Sequence, residues 1–83
     1  LGTGAHRQGD SDSGGDVPAA FSPDIKINGK FVHRVGDADT GGDVVSSSPV
    51  TVFANGKEIV RIGDVDTGGD TKTGGSGDVN IGP

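Results

Sequence analysis

Three copies of nearly one word, GDSDSGGD, GDADTGGD and GDVDTGGD, begin at Gly9, Gly36 and Gly63 and carry three aspartates apiece. Short carboxylates at this spacing suit a hard cation, and calcium is the ion that a set such as Asp10, Asp12 and Asp16 would take. The words lack the fifth-position acid and the closing bidentate glutamate of an EF-hand loop, and they lack the nine-residue repeat of calcium β-rolls. Aspartate beside Gly-Gly also makes turns, because its carboxylate accepts from its own downstream backbone while glycine takes positive φ. Turn chemistry is therefore the expectation for these words. His6 and His33 are the only histidines. They occupy equivalent places in two repeats, where two imidazoles brought to a common axis would share a zinc or iron ion with water or a carboxylate. No nucleophile, base and acid stand at motif spacing, so no enzymatic activity is expected.

The elements that position these groups follow from a period of 27 residues, which relates Arg7, Arg34 and Arg61, then Asp10, Asp37 and Asp64, then Asp16, Asp43 and Asp70. Between the acidic words lie SPDIKINGKFVHR and SPVTVFANGKEIVR, each with apolar residues alternating on both sides of Asn-Gly. That pattern predicts β-hairpins with two-residue turns. Residues two apart on a strand share a face, which makes Ile25, Ile27, Val52, Ala54, Val79 and Ile81 the expected inner set. On the return strands Phe31, His33 and Val35 share one face and Val32 and Arg34 the other; the pattern does not say which is inner. Ser22-Pro23 and Ser48-Pro49 are 26 apart, one short of the period, a slip that a bulge would absorb.

The third outgoing strand, Asp78 to Ile81, has no return strand after it. Shifted by one period, Ala5-His6-Arg7 falls on Val32-His33-Arg34. A strand near residues 2 to 8 is thus expected to pair with the C-terminal strand and complete a third hairpin across the chain ends. The expected fold is all-β: a small conical, pseudo-threefold arrangement of three β-hairpins in one domain over 1–83. Its repeats are 7–33, 34–60 and 61–83, the last completed by 1–6. Each arginine is expected to pair with a G-D aspartate of a neighbouring sector and so tie the hairpins together.

Composition narrows the function. Eighty-three residues with 29% hydrophobic content, three Phe and no cysteine can bury only a thin core without a disulfide staple. A net charge of -5 and the scarcity of aromatic residues argue against nucleic acid, and no small-molecule substrate is expected. No basic-then-apolar start resembles a signal peptide, and no apolar run is long enough to span a bilayer.

The units SPDIKINGKFVHRVGD and SPVTVFANGKEIVRIGD resemble those of the PAAR-repeat proteins, over nearly the whole chain from Ala5 to Ile81. Where the family has Pro-Ala-Ala-Arg this sequence reads KFVHR, Lys30 to Arg34, and KEIVR, Lys57 to Arg61, keeping the arginine and the following Gly-Asp. The resemblance implies a tip protein of a contractile injection machine, either a phage tail or a type VI secretion system. Its implied partner is a homotrimeric β-helical spike, one copy per trimer, with transient contact to the target membrane. Its implied location is the virion tail tip or the path of secretion through a bacterial machine. Family members hold a metal with His and Cys just before Gly-Gly; here those positions are Ser13, Thr40 and Thr67. A reading from a different class is a calcium-binding module of an extracellular repeat protein.

Overall fold

The computed structural model describes residues 2–82; Leu1 and Pro83, the ends of the 1–83 domain, lie outside the described residues. The described residues form no helix but six strands: β1 (Thr3–Gly4), β2 (Lys26–Ile27), β3 (Lys30–Phe31), β4 (Phe53–Ala54), β5 (Lys57–Glu58) and β6 (Asn80–Ile81). They make three two-stranded antiparallel sheets. In two of these, β2 with β3 and β4 with β5, Ile27 faces Lys30 and Ala54 faces Lys57 across the Asn-Gly turns. Asn28 and Asn55 both stand at φ 55, followed by Gly29 at 78 and Gly56 at 77. Positive φ at both central residues is what a type I′ turn demands, and Asn-Gly meets it with least strain. The third sheet joins the chain ends as expected, with Thr3 opposite Ile81 and Gly4 opposite Asn80.

The strands are short because each soon leaves its hairpin partner for a strand of a neighbouring hairpin. Antiparallel bridges link Arg7 to Val32, Arg34 to Ile59 and Ala5 to Arg61. Closure is completed by a ring of three backbone hydrogen bonds about the pseudo-threefold axis. His33 N–H donates to His6 at 3.0 Å, Val60 N–H to His33 at 2.9 Å and His6 N–H to Val60 at 2.9 Å. A second ring joins the acidic corners, where Thr40 donates to Val17, Thr67 to Val44 and Ser13 to Thr71, each at 2.9 Å. Every such bond crosses between sectors, so no hairpin satisfies its backbone alone. The three hairpins form a compact, nearly isotropic body with principal extents of 26 × 24 × 22 Å.

The apolar core gathers Ala5, Val32, Val50, Ala54, Ile59 and Ile81, with Ile25 and Ile27 packed against it. Two members of the expected inner set depart from it, since Val52 and Val79 are 41% and 36% exposed. They stand at the outer ends of the outgoing strands, where no neighbouring sector covers them. On the return strands both faces turn out to be inner: Val32 enters the core while His33 is equally buried. Strict alternation fails there because the chain passes close to the axis, and protein lies on both sides of it. The one-residue slip at Ser48 is absorbed before the strand, since the second hairpin keeps the register of the first. No bulge is needed. Ser22 and Ser76 accept from the N–H groups of Ile25 and Val79 in their own turns and donate across to Asn55 and Asn28. Displaced by one place, Ser48 instead donates to Asp64 at 2.8 Å.

Gly4 is the point at which chain-end closure is tightest. A Cβ built there would run into the Ser76 carbonyl oxygen and come within 3.1 Å of Ile62 Cδ1. Because the first obstacle is backbone, Gly4→Ala is expected to cost about 1–3 kcal/mol. Urea unfolding would measure it, with Gly77→Ala, which meets nothing within 4 Å, as the near-neutral control.

Candidate functional site

The Gly-Asp corners are built identically in the three repeats. Asp12 Oδ1 accepts from the N–H groups of Gly14 and Asp16, Asp39 Oδ1 from Gly41 and Asp43, and Asp66 Oδ1 from Gly68 and Asp70, at 2.9–3.0 Å. These are the turns expected of Asp beside Gly-Gly. The calcium set suggested within one word does not assemble, because Asp10 is drawn away to Arg7 at 2.8 Å. Convergence occurs between words instead. Carboxylate oxygens of Asp12, Asp16 and Asp39 lie within 4.8 Å of one another, as do those of Asp39, Asp43 and Asp66, and of Asp66, Asp70 and Asp12.

At the centre of these clusters stands a group that the repeat pattern did not point to. Lys72 is 1% exposed, and its Nζ donates to Asp12 Oδ2 at 3.1 Å, Asp66 Oδ2 at 3.1 Å and Asp39 Oδ2 at 3.3 Å. Burial alone would depress the lysine, but Asp66, Asp12 and Asp39 outweigh it and hold the ammonium above its ordinary pKa. Burial likewise opposes ionisation of Asp12 and Asp66, yet the N–H groups of Asp16 and Asp70 together with Lys72 keep both below the ordinary carboxylate value. The signal was present in the sequence: one period back from Lys72 stand Val45 and then Pro18, both buried. A lysine at a position otherwise apolar marks a charge with a dedicated partner.

Ser13, Thr40 and Thr67, where the resembling family has its metal ligands, are exposed and already engaged. Thr40 donates to Asp16 at 3.0 Å, Thr67 to Asp43 at 3.2 Å and Ser13 to Asp70 at 3.4 Å. This hydroxyl–carboxylate ring contains no thiolate or imidazole and does not fit a zinc ion at those positions.

His6 and His33 are brought together, as the threefold placement suggested, with ring centres 5.3 Å apart and both side chains fully buried. His6 Nδ1 lies 2.7 Å from the Gly74 carbonyl and His33 Nε2 lies 2.9 Å from that of Asp37. A carbonyl can only accept, so those nitrogens carry the protons. The opposite ones, His6 Nε2 and His33 Nδ1, present lone pairs with no partner. They would supply two of the four donors that zinc takes, and the carboxylate clusters that could enclose an ion include neither histidine. Burial pushes both imidazoles below their ordinary pKa, His33 to about 4.

The arginines pair within their own sectors rather than between sectors, correcting the expectation. Arg7 Nε meets Asp10 and Arg34 Nε meets Asp37, both at 2.8 Å and three residues apart. The tie between neighbouring hairpins is made by the other end of each guanidinium. Arg7 Nη1 donates to Asn28 at 3.0 Å, Arg34 Nη1 to Asn55 at 3.1 Å and Arg61 Nη1 to the Ile81 carbonyl at 3.0 Å. Asn28 and Asn55 also accept from Ser76 and Ser22, at 2.6 and 2.7 Å, which locks each hairpin turn onto a neighbour. The third pair is looser, with Arg61 Nε 3.9 Å from Asp64, and Asp64 is the aspartate that has taken the displaced Ser48.

Comparison with protein-family models, with curated proteins and with solved structures yields no match for this chain.

Proposed function

We propose that this protein is a structural, non-enzymatic tip that caps a homotrimeric β-helical spike of a contractile tail or secretion machine, one copy per trimer, and sharpens it for membrane penetration. The observation that carries the reading is the display of apolar side chains at equivalent places. Ile25, Val52 and Val79 are each 27 residues apart, the first half-buried and the others 41% and 36% exposed. Phe53, 56% exposed, adds an aromatic anchor beside Val52. One chain built of three similar hairpin sectors, two of which expose an apolar residue at this place while Ile25 packs against the core in the other, suits a three-chain partner. Aromatic and apolar side chains left in water at such places are suited to becoming the centre of an interface. The tip of such an assembly reaches the target membrane transiently, and its location follows that of the machine, in a virion or on the path of secretion.

Mixing the protein with a homotrimeric β-helical spike protein is expected to give a one-to-three complex by native mass spectrometry. Phe53→Glu together with Val79→Glu should weaken it by about tenfold or more. Absence of binding to any such trimer, combined with a gain in stability on adding calcium, would overturn this reading in favour of the calcium module.

A further inference from the structure

An asparagine followed by glycine can lose its side-chain amide, because glycine carries no Cβ to keep its backbone nitrogen away from the preceding carboxamide. Attack by that nitrogen on the asparagine Cγ breaks the bond to Nδ2. The amide departs as ammonia with the proton that the glycine N–H gives up, and water then opens the cyclic succinimide to aspartate or isoaspartate. The two hairpin turns, Asn28-Gly29 and Asn55-Gly56, are exposed, and no atom lies within 4 Å of the place where a Cβ would stand on either glycine. Both turns are open to water and to attack. What opposes reaction is a hold on each carboxamide supplied by a neighbouring hairpin. Asn55 Oδ1 accepts from Ser22 at 2.7 Å and Arg34 at 3.1 Å, and its Nδ2 donates to Asp24 at 2.9 Å. Asn28 Oδ1 accepts from Ser76 at 2.6 Å and Arg7 at 3.0 Å, and its Nδ2 donates to Asp78 at 2.9 Å. We propose that Asn28 and Asn55 are deamidation sites held shut by these contacts, and that reaction at either one turns the lock between two hairpins into a contact of like charges.

The hold has two opposed effects. Donors on Oδ1 polarise the carbonyl, and such donors are worth about 10²–10³ in rate at a reacting carbonyl. Placement of the reacting atoms is worth more, with effective molarities of about 10⁵–10⁸ M for well-aligned groups. A carboxamide fixed at both its oxygen and its nitrogen cannot swing Cγ onto the glycine nitrogen, so placement decides and the folded chain is protected. The product is marked by its charge. Asp24 and Asp78 are held below the ordinary carboxylate pKa chiefly by the amides of Asn55 and Asn28. Exchange of amide for carboxylate removes that donor and sets oxygen against oxygen, while the arginine and serine contacts remain. A chain that has reacted while unfolded therefore cannot rebuild the same lock. This proposal stands on the turn geometry and is independent of docking to a spike.

Peptide mapping by mass spectrometry after incubation in mildly alkaline buffer reads each site separately. Both should deamidate about tenfold or more slowly in the native chain than in the same chain unfolded in urea. Asp24→Ala, at an exposed position, removes the acceptor of Asn55 Nδ2 and leaves every contact of Asn28 in place. Asn55 should then react about fivefold or more faster with Asn28 of the same molecule unchanged, and Asp78→Ala should give the reverse pattern. Asn55→Asp retains a residue that the type I′ turn accepts, so its effect reports the charge. It should lower the melting temperature by about 4 °C or more, and adding Asp24→Asn, which restores an amide facing a carboxylate, should recover most of the loss. Native turns that react as fast as the unfolded chain, an Asp24→Ala chain in which both sites or neither speed up, or a double variant without recovery would each overturn the proposal.

Discussion

Exchange of Lys72 for methionine is expected to cost about 3–5 kcal/mol of folding free energy at neutral pH, the range for removing one member of a buried ion cluster. Methionine keeps most of the side-chain length, so the cost is that of the missing charge rather than of a cavity. Three carboxylates then face one another at the axis, on side chains that are no more than 1% exposed. The pH dependence separates this cause from a packing defect. In the native chain Asp12 and Asp66 have pKa values below the ordinary 3.8, so their contribution is present above that value and is lost as pH falls through the folded values. Without Lys72 the mutual repulsion raises them instead. The folded variant then binds protons more readily than its unfolded chain, and acid relieves it. The stability gap between native and variant should therefore narrow from about pH 8 to pH 5 in urea unfolding. A gap that stays constant would show that the carboxylates are not the source.

The hairpins, their register and the pairing of the chain ends were legible because Asn-Gly and a strict period are local signals. A type I′ turn is decided by two residues, and strands 27 apart that end in the same turn must share a register. What alternation misjudged was the environment at the two ends of each strand. Val52 and Val79 have the parity of core residues yet lie beyond the neighbouring sector, while Val32 and His33 are both covered although they have opposite parity. Period-two reasoning assumes one wet face and one dry face, which holds for a flat sheet and fails where three chain segments wrap a common axis.

The site was half legible for a related reason. Repetition reveals what the sectors share, and so it exposed the Asp corners, the arginines and the paired histidines. Lys72 is what they do not share. An axial group breaks the symmetry by necessity, and a search for matching residues passes over it. The Arg61 sector departs from the repeat for local reasons: no asparagine follows Ile81, whose carbonyl takes the guanidinium, and the one-residue slip displaces Ser48 onto Asp64.

The histidine pair makes the second large prediction, a loss of stability in mild acid. Burial holds His33 at about 4 against an ordinary 6.5, and the nearby His6, itself depressed, adds to the effect. Lys72 disfavours protonation of either ring, while Asp37 beside His33 and Asp10 and Asp12 near His6 oppose it only in part. Above pH 6.5 both folded and unfolded chains carry neutral imidazoles and no penalty arises. Between 6.5 and about 4 the unfolded chain takes up the proton and the folded chain does not, so stability falls across that window. At about 1.4 kcal/mol per pH unit, His33 alone accounts for about 3 kcal/mol by the lower end. His33→Val, which copies the Val60 of the third repeat, should flatten the profile. At about pH 8 the same change should cost about 1 kcal/mol, because the Asp37 carbonyl loses its donor at 2.9 Å. Chemical denaturation at several pH values across the window measures both effects. An unchanged slope in His33→Val would assign the acid sensitivity to His6, because the loss from the carboxylates around Lys72 begins only below 3.8.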